Sequence, residues 1–186
     1  MLMARPQIVN PEQRSAVDSP WSRGERVWRI LWELCWSIFC AWTPKPANPW
    51  RLFWLRSFGA TIHGMPFVHQ RARIAVPWNL TLHDGACLGD RANAYNLGEI
   101  EIRAHATVAQ EVYLSTGSHD FEQSGMPLVT GRIMIGEDAF LGARVFVMPG
   151  ITIGARSVIG ACSVVTKDVP ESVFAAGNPC RVLRPR

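Results

Sequence analysis

Broken every six residues, positions 135–169 read IGEDAF, LGARVF, VMPGIT, IGARSV, IGACSV and VTKDV. The first column is Ile135, Leu141, Val147, Ile153, Ile159 and Val165, and four of these six precede a glycine. The fifth column is Ala139, Val145, Ile151, Ser157, Ser163 and Val169, all small or β-branched. A period of six matches neither the 3.6-residue repeat of a helix nor the two-residue repeat of a strand. It is the period of a parallel β-helix, in which each unit is one short strand and one corner. Three units close a triangular coil, and stacked coils lie one strand spacing apart, about 4.8 Å. The aliphatic residue points to the axis, the small residue fills the corner, and the glycine admits backbone angles that a corner demands. A hairpin-rich sandwich is the alternative, but residues 135–169 carry none of its turn dipeptides.

Working outward, the period resumes earlier. Val76, Leu82, Leu88 and Ala94 are six apart, with Leu80, Ala86, Ala92 and Gly98 in the fifth column. The phase slips by two, then continues at Ile102, Val108 and Leu114 with Ala106, Val112 and Ser118. A longer interruption separates Leu114 from Val129 and Ile135. It contains Thr116-Gly117-Ser118-His119-Asp120 and ends near Gly125-Met126-Pro127. A polar loop extruded at 115–128 from a rigid solenoid is where function is expected.

The chain has 186 residues, a hydrophobic content of 48% and a formal charge of +4. This fits one domain with an appendage. The mild positive charge suits an anionic ligand, a negatively charged membrane surface, or simply a solvated exterior. Basic residues are dispersed, which argues against nucleic acid as a partner. The five cysteines (Cys35, Cys40, Cys87, Cys162 and Cys180) form no CxxC pair, so reduced thiols and a cytoplasmic location are expected.

Residues 1–24 read as a flexible N-terminus and 25–60 as a helical appendage. Arg26, Arg29, Glu33 and Ser37 form one narrow polar stripe; the rest of 27–42 is apolar and tryptophan-rich. A second helix is expected from Pro49 to Phe58, with Asn48 as N-cap and Gly59 just past its end. Arg29 and Glu33 interrupt the apolar run, so neither a signal peptide nor a spanning helix fits. Two partners remain. Packing on protein would bury Trp28, Leu31, Trp32, Leu34 and Trp36 against the solenoid or a neighbouring subunit. The other partner is a membrane surface, with peripheral contact at the inner face through residues 27–42. The solenoid itself is expected over 61–174, followed by a tail at 175–186.

The repeats, the loop motif at 116–120, Val164-Val165-Thr166-Lys167-Asp168-Val169-Pro170 and the ending Ala175-Ala176-Gly177-Asn178-Pro179-Cys180-Arg181-Val182-Leu183 resemble the hexapeptide-repeat acyltransferases. Within them the chain is similar to the galactoside, maltose and nodulation-factor acetyltransferase group. The tryptophan-rich start and Phe58-Gly59-Ala60 resemble most closely the colanic acid biosynthesis acetyltransferases. The resemblance covers about residues 25–186. It implies an all-β solenoid, a left-handed parallel β-helix, with acetyl-CoA as co-substrate, a homotrimer with sites between subunits, and a saccharide acceptor in exopolysaccharide biosynthesis.

A sugar hydroxyl attacking a thioester needs a base, and imidazole suits that task. His119 is the one histidine of the extruded loop, and the resemblance makes it the general base. Asp120 or Glu122 is expected to orient it. The resemblance assigns Asn96 to the acceptor, against an asparagine that stabilises a turn, and Tyr95 offers a platform for a sugar ring. It places Phe140, Gly142, Ala143, Ala161, Thr166 and Lys167 along the coenzyme groove, with Arg181 and Arg184 on its phosphates. The family often has Trp where Phe140 stands. Three other readings remain: an N-acyltransferase on an amino sugar, a zinc hydro-lyase like the γ-class carbonic anhydrases, and a non-catalytic trimeric scaffold. The histidines offer no closely spaced pair for zinc, and no metal is expected.

Overall fold

The computed structural model describes residues 21–186 and the two-residue strand Gln7–Ile8. From Thr61 onward the chain winds as a three-faced parallel β-solenoid. Face I stacks Thr61–Ile62, Leu80–Leu82, Ile100–Ile102, Ile133–Ile135 and Thr152–Ile153. Face II stacks Phe67–Val68, Cys87–Leu88, Thr107–Val108, Phe140–Leu141, Val158–Ile159 and Val173–Gly177. On that face Cys180–Pro185 then folds back antiparallel on Val173–Gly177. Face III stacks Arg73–Ile74, Asn93–Tyr95, Tyr113–Ser115, Phe146–Val147 and Val164–Val165.

The first-column residues Ile135, Leu141, Val147, Ile153, Ile159 and Val165 are completely buried, and the fifth column lines the same core. The glycines after them have a different role from the one expected. They do not take left-handed angles; those fall on the fourth position, at Asp138, Arg144, Gly150, Arg156 and Cys162. What the glycines allow is close stacking. A Cβ on Gly142 would stand 2.7 Å from the backbone nitrogen of Ala161, and one on Gly154 2.3 Å from that of Glu171.

Strand pairing also corrects the earlier phase. Ile74, not Val76, pairs with Ala94. The stacked positions therefore run Ile62, Val68, Ile74, then Leu82, Leu88, Ala94, then Ile102, Val108, Leu114. Every departure from six falls at the corner between faces III and I. Here lie Ile74 to Leu82, Ala94 to Ile102, and the long excursion from Leu114 to Ile135. A satellite cluster of Val76, Leu97 and Leu128, with Trp21, Trp78 and Tyr95 against it, fills this corner.

Two helices precede the solenoid. Helix α1 spans Arg23–Phe39 and opens with a capping box: Ser22 Oγ accepts from the Glu25 amide, and Glu25 Oε2 accepts from the Ser22 amide. It starts two residues before the expected appendage boundary. Trp32 is its anchor, fully buried, with its indole N–H donating to the Ile74 carbonyl at 2.7 Å. Helix α2 spans Asn48–Ser57. Asn48 is inside this helix rather than its N-cap; its amide donates to Pro66 O and accepts from Val68 N. Gly59 takes the expected left-handed angle past the end, φ +91°. Arg51 is completely buried and ties the appendage to the solenoid. Its guanidinium donates to the carbonyls of Val68, Pro44 and Lys45 and to Thr43 Oγ1. Such a satisfied cation crosslinks three backbone carbonyls and one hydroxyl without an acidic partner.

Packing of α1 is narrower than the protein-packing reading predicted. Trp32 is buried and Trp36 half-buried, but Trp28, Leu31 and Leu34 are exposed on this chain. Of the N-terminal segment read as flexible, Gln7–Ile8 pairs antiparallel with Leu128–Thr130. Residues 1–6 and 9–20 lie outside the described residues.

Candidate active site

The extruded loop is an arm with strand structure. Gly117–His119 pairs antiparallel with Leu128–Thr130, His119 opposite Leu128. Gln7–Ile8 covers the far edge of that ribbon. Thr116, fully buried, fastens the arm to the corner. Its hydroxyl donates to Tyr95 O and accepts from Gly98 N, both at 2.9 Å, and its carbonyl accepts from Gly131 N.

His119 Nδ1 lies 2.7 Å from the carbonyl oxygen of Met126. A carbonyl only accepts, so Nδ1 carries a proton, and in the neutral imidazole Nε2 is then the nitrogen with the lone pair. The orienting group is thus a backbone carbonyl, and neither carboxylate expected in that role supplies it. Asp120 instead folds the turn, with one oxygen accepting from Glu122 N and the other from Gln123 Nε2. Glu122 is exposed and enters this turn through its amide. Met126 has a left-handed φ of +44° next to Gly125 at +88°, which turns its carbonyl back toward the ring. A main-chain oxygen has no sequence signature, which is why the motif pointed to its neighbours.

Asn96 departs from the acceptor assignment. It is completely buried; its Oδ1 accepts from Val76 N and its Nδ2 donates to Val76 O. Both ends of the amide are used in holding the corner, which matches the turn-stabilising alternative. Tyr95 is half-buried on face III beside Tyr113, which in turn stacks on Phe146 at 5.1 Å. This aromatic column runs along the face that leads into the arm.

The coenzyme residues separate into groups. Phe140 is 43% exposed on face II, between Thr107 and Val158. Gly142, Ala143 and Ala161 form the corner between faces II and III. The Gly142 N–H donates to Ile159 O at 2.8 Å, so it serves the ladder and not a thioester oxygen. Thr166 and Lys167 are exposed at the corner between faces III and I, the same edge that bears the arm. Arg181 and Arg184 are exposed on the returning strand of face II, with the Arg184 guanidinium 4.0 Å above the Phe174 ring. One chain therefore places His119, Thr166 and Lys167 on one edge of the prism and Gly142, Ala143 and Ala161 on another.

Three of the other four histidines are engaged elsewhere. His63 stacks on His83, His83 meets Glu101 at 3.1 Å, and His69 meets Asp90 at 3.2 Å. Burial lowers the His69 imidazole below its usual range, with Asp90 opposing that shift. No group of three candidate metal ligands occurs among the described residues.

Comparison with known proteins matches residues 132–167 to the bacterial transferase hexapeptide (six repeats) model. Over 158 residues the chain is 44% identical to the Escherichia coli (strain K12) protein named for acetyl transfer in colanic acid biosynthesis, WcaF, spanning 85% of this chain and 86% of that one. The chain belongs to the hexapeptide-repeat acetyltransferases. Two solved members of this family share the architecture. A galactoside acetyltransferase in complex with coenzyme A has a TM-score of 0.78 at 26% identity, covering 90% of this chain and 84% of that chain. A maltose O-acetyltransferase from Clostridium difficile 630 has a TM-score of 0.74 at 28% identity, covering 88% and 89%.

Proposed function

We propose that this hexapeptide-repeat acetyltransferase moves the acetyl group of acetyl-CoA to a hydroxyl of a saccharide, in the assembly of an exopolysaccharide. The observation that carries the reading is the His119–Met126 hydrogen bond, which leaves Nε2 as a free acceptor on a braced arm. In the reaction Nε2 takes the hydroxyl proton as the oxygen attacks the thioester carbon. The tetrahedral intermediate collapses with loss of the CoA thiolate, and the imidazolium returns the proton to that sulfur. Support for the acyl donor comes from the solved galactoside relative, whose structure contains coenzyme A. Support for a polysaccharide acceptor comes from the relative named for colanic acid biosynthesis.

The donor groove requires a second copy on this reading. The edge with His119, Thr166 and Lys167 meets the Gly142–Ala143–Ala161 edge of a neighbour, and threefold closure completes three sites. Arg181 and Arg184 then serve the coenzyme phosphates through their forked donors. The test is His119→Ala assayed by release of CoA thiol with a panel of saccharides. It lowers kcat by roughly 10²–10⁴ while acetyl-CoA affinity barely changes. Retention of most activity removes His119 from the mechanism.

A further inference from the structure

We propose that α1 and α2 form a docking face for an anionic lipid bilayer. Helix α1 has two apolar faces. Trp32, Cys35 and half-buried Trp36 are turned to the protein. Val27, Ile30, Leu31, Leu34 and Ile38, spaced i, i+3, i+4, i+7, i+11, form a second stripe, each between 44 and 57% exposed. A 17-residue helix is about 25 Å long, so the stripe is a ridge and not an isolated contact. It continues into an aromatic group at the far end. Phe39 stacks on Trp54 at 5.1 Å, Trp54 meets Trp50 at 5.6 Å, and Trp50 stacks on Phe53 at 5.8 Å. Trp42, 73% exposed, stands beside them in sequence.

The two exposed tryptophans of this group, Trp42 and Trp50, have their indole N–H groups satisfied, whereas half-buried Trp54 has no partner for its own. The Trp42 indole N–H donates to Ile38 O and that of Trp50 to Phe39 O. Both close carbonyls in the last turn of α1, where helical donors run out. Large apolar rings with spent N–H groups gain little from water, and contiguous apolar surface of this extent marks an interaction site. Seven of the eight tryptophans lie in residues 21–54, the composition of an interfacial element.

Charge decides the occupant. Residues 21–58 hold six basic and two acidic side chains, while the rest of the chain holds thirteen of each. The whole formal charge of +4 therefore sits in the appendage. Arg23 and Arg26 are exposed on the first turns of α1, and Lys45 and Arg56 are exposed on the segments that follow. An apolar ridge rimmed by cations complements a bilayer with negatively charged headgroups, into which the ridge inserts and at which the arginines remain solvated. The same face of a second copy would oppose positive charge to positive charge. No helix among the described residues is long and apolar enough to cross a membrane, so the contact is with the surface.

The experiment is vesicle co-sedimentation of the full chain, with phosphatidylglycerol/phosphatidylethanolamine vesicles against phosphatidylcholine vesicles. The intact protein is expected to sediment with the anionic vesicles, with blue-shifted tryptophan emission, and to be released by raised salt. Leu31→Glu combined with Leu34→Glu lowers partitioning by at least about tenfold, with thermal melting and oligomeric state unchanged. Arg23→Glu combined with Arg26→Glu, which alters no buried group, lowers binding to the anionic vesicles alone. Failure of the intact protein to sediment with anionic vesicles overturns the proposal. So does dissociation of the assembly by the paired leucine substitutions, which assigns the face to another copy of the chain.

Discussion

Proton placement at His119 is settled by one carbonyl, and the same kind of reading separates structure from chemistry at Asn96. The Asn96 amide is buried and clamps both main-chain groups of Val76. Removing it leaves the buried Val76 N–H without a partner, at about 1–3 kcal/mol, while the Val76 carbonyl keeps only its bond from Asn79 N. Asn96→Ala is therefore expected to lower the melting temperature clearly while the KM for the saccharide stays near the unaltered value. A raised KM with unchanged melting would return Asn96 to the acceptor site. His119 was legible because it is the only histidine in the one long break of a regular pattern. Its partner was not, because the Met126 carbonyl is a main-chain atom, turned toward the ring by a left-handed methionine beside Gly125. Asn96 stood open between two roles for a related reason: an amide offers a donor and an acceptor equally well to a sugar or to a peptide.

At the scale of elements, the corner between faces III and I is the organising feature. Each early coil spends two extra residues there, and the arm leaves from it. Column counting found the strands but could not tell a coil that begins late from one with a longer corner, so Val76 took the place of Ile74. The axial ladder was legible because stacking demands the same residue type at every turn. The arm was seen as a loop because its two short strands pair only with each other and with Gln7–Ile8. Thr116 joins arm to corner through one hydroxyl that both donates and accepts. Thr116→Val keeps the shape and loses both bonds. The expected result is a loss of stability of about 1–3 kcal/mol and a kcat lowered tenfold or more, since small displacements of a base are costly. Acetyl-CoA affinity should hold, as the groove residues lie on other edges of the prism or farther along this one. An unaltered kcat would show that the strand pairing alone positions His119.

For the whole molecule, the argument turns on which edges of the prism meet. A single coil repeats one geometry three times, so residues from different edges cannot converge within a chain, however regular the sequence. His119 and Ala161 are on different edges, and the proposed site joins them across two copies. This makes a complementation test decisive. Ala161→Trp, at an exposed corner residue, should block the coenzyme groove; His119→Ala removes the base. Each homogeneous assembly is then inactive. Unfolding the two variants together and refolding them produces mixed assemblies, in which a site joining the intact arm of one variant to the intact groove of the other arises by chance. With equal mixing about a quarter of all sites are of that kind, so about a quarter of the activity should return. Exchange without recovery would place both residues of each site in the same chain, or neither in the site. Full activity of Ala161→Trp alone would remove that corner from the groove. Recovery near the expected fraction fixes the arm and the groove on neighbouring copies, and an assembly of more than one chain then follows as a requirement of the chemistry.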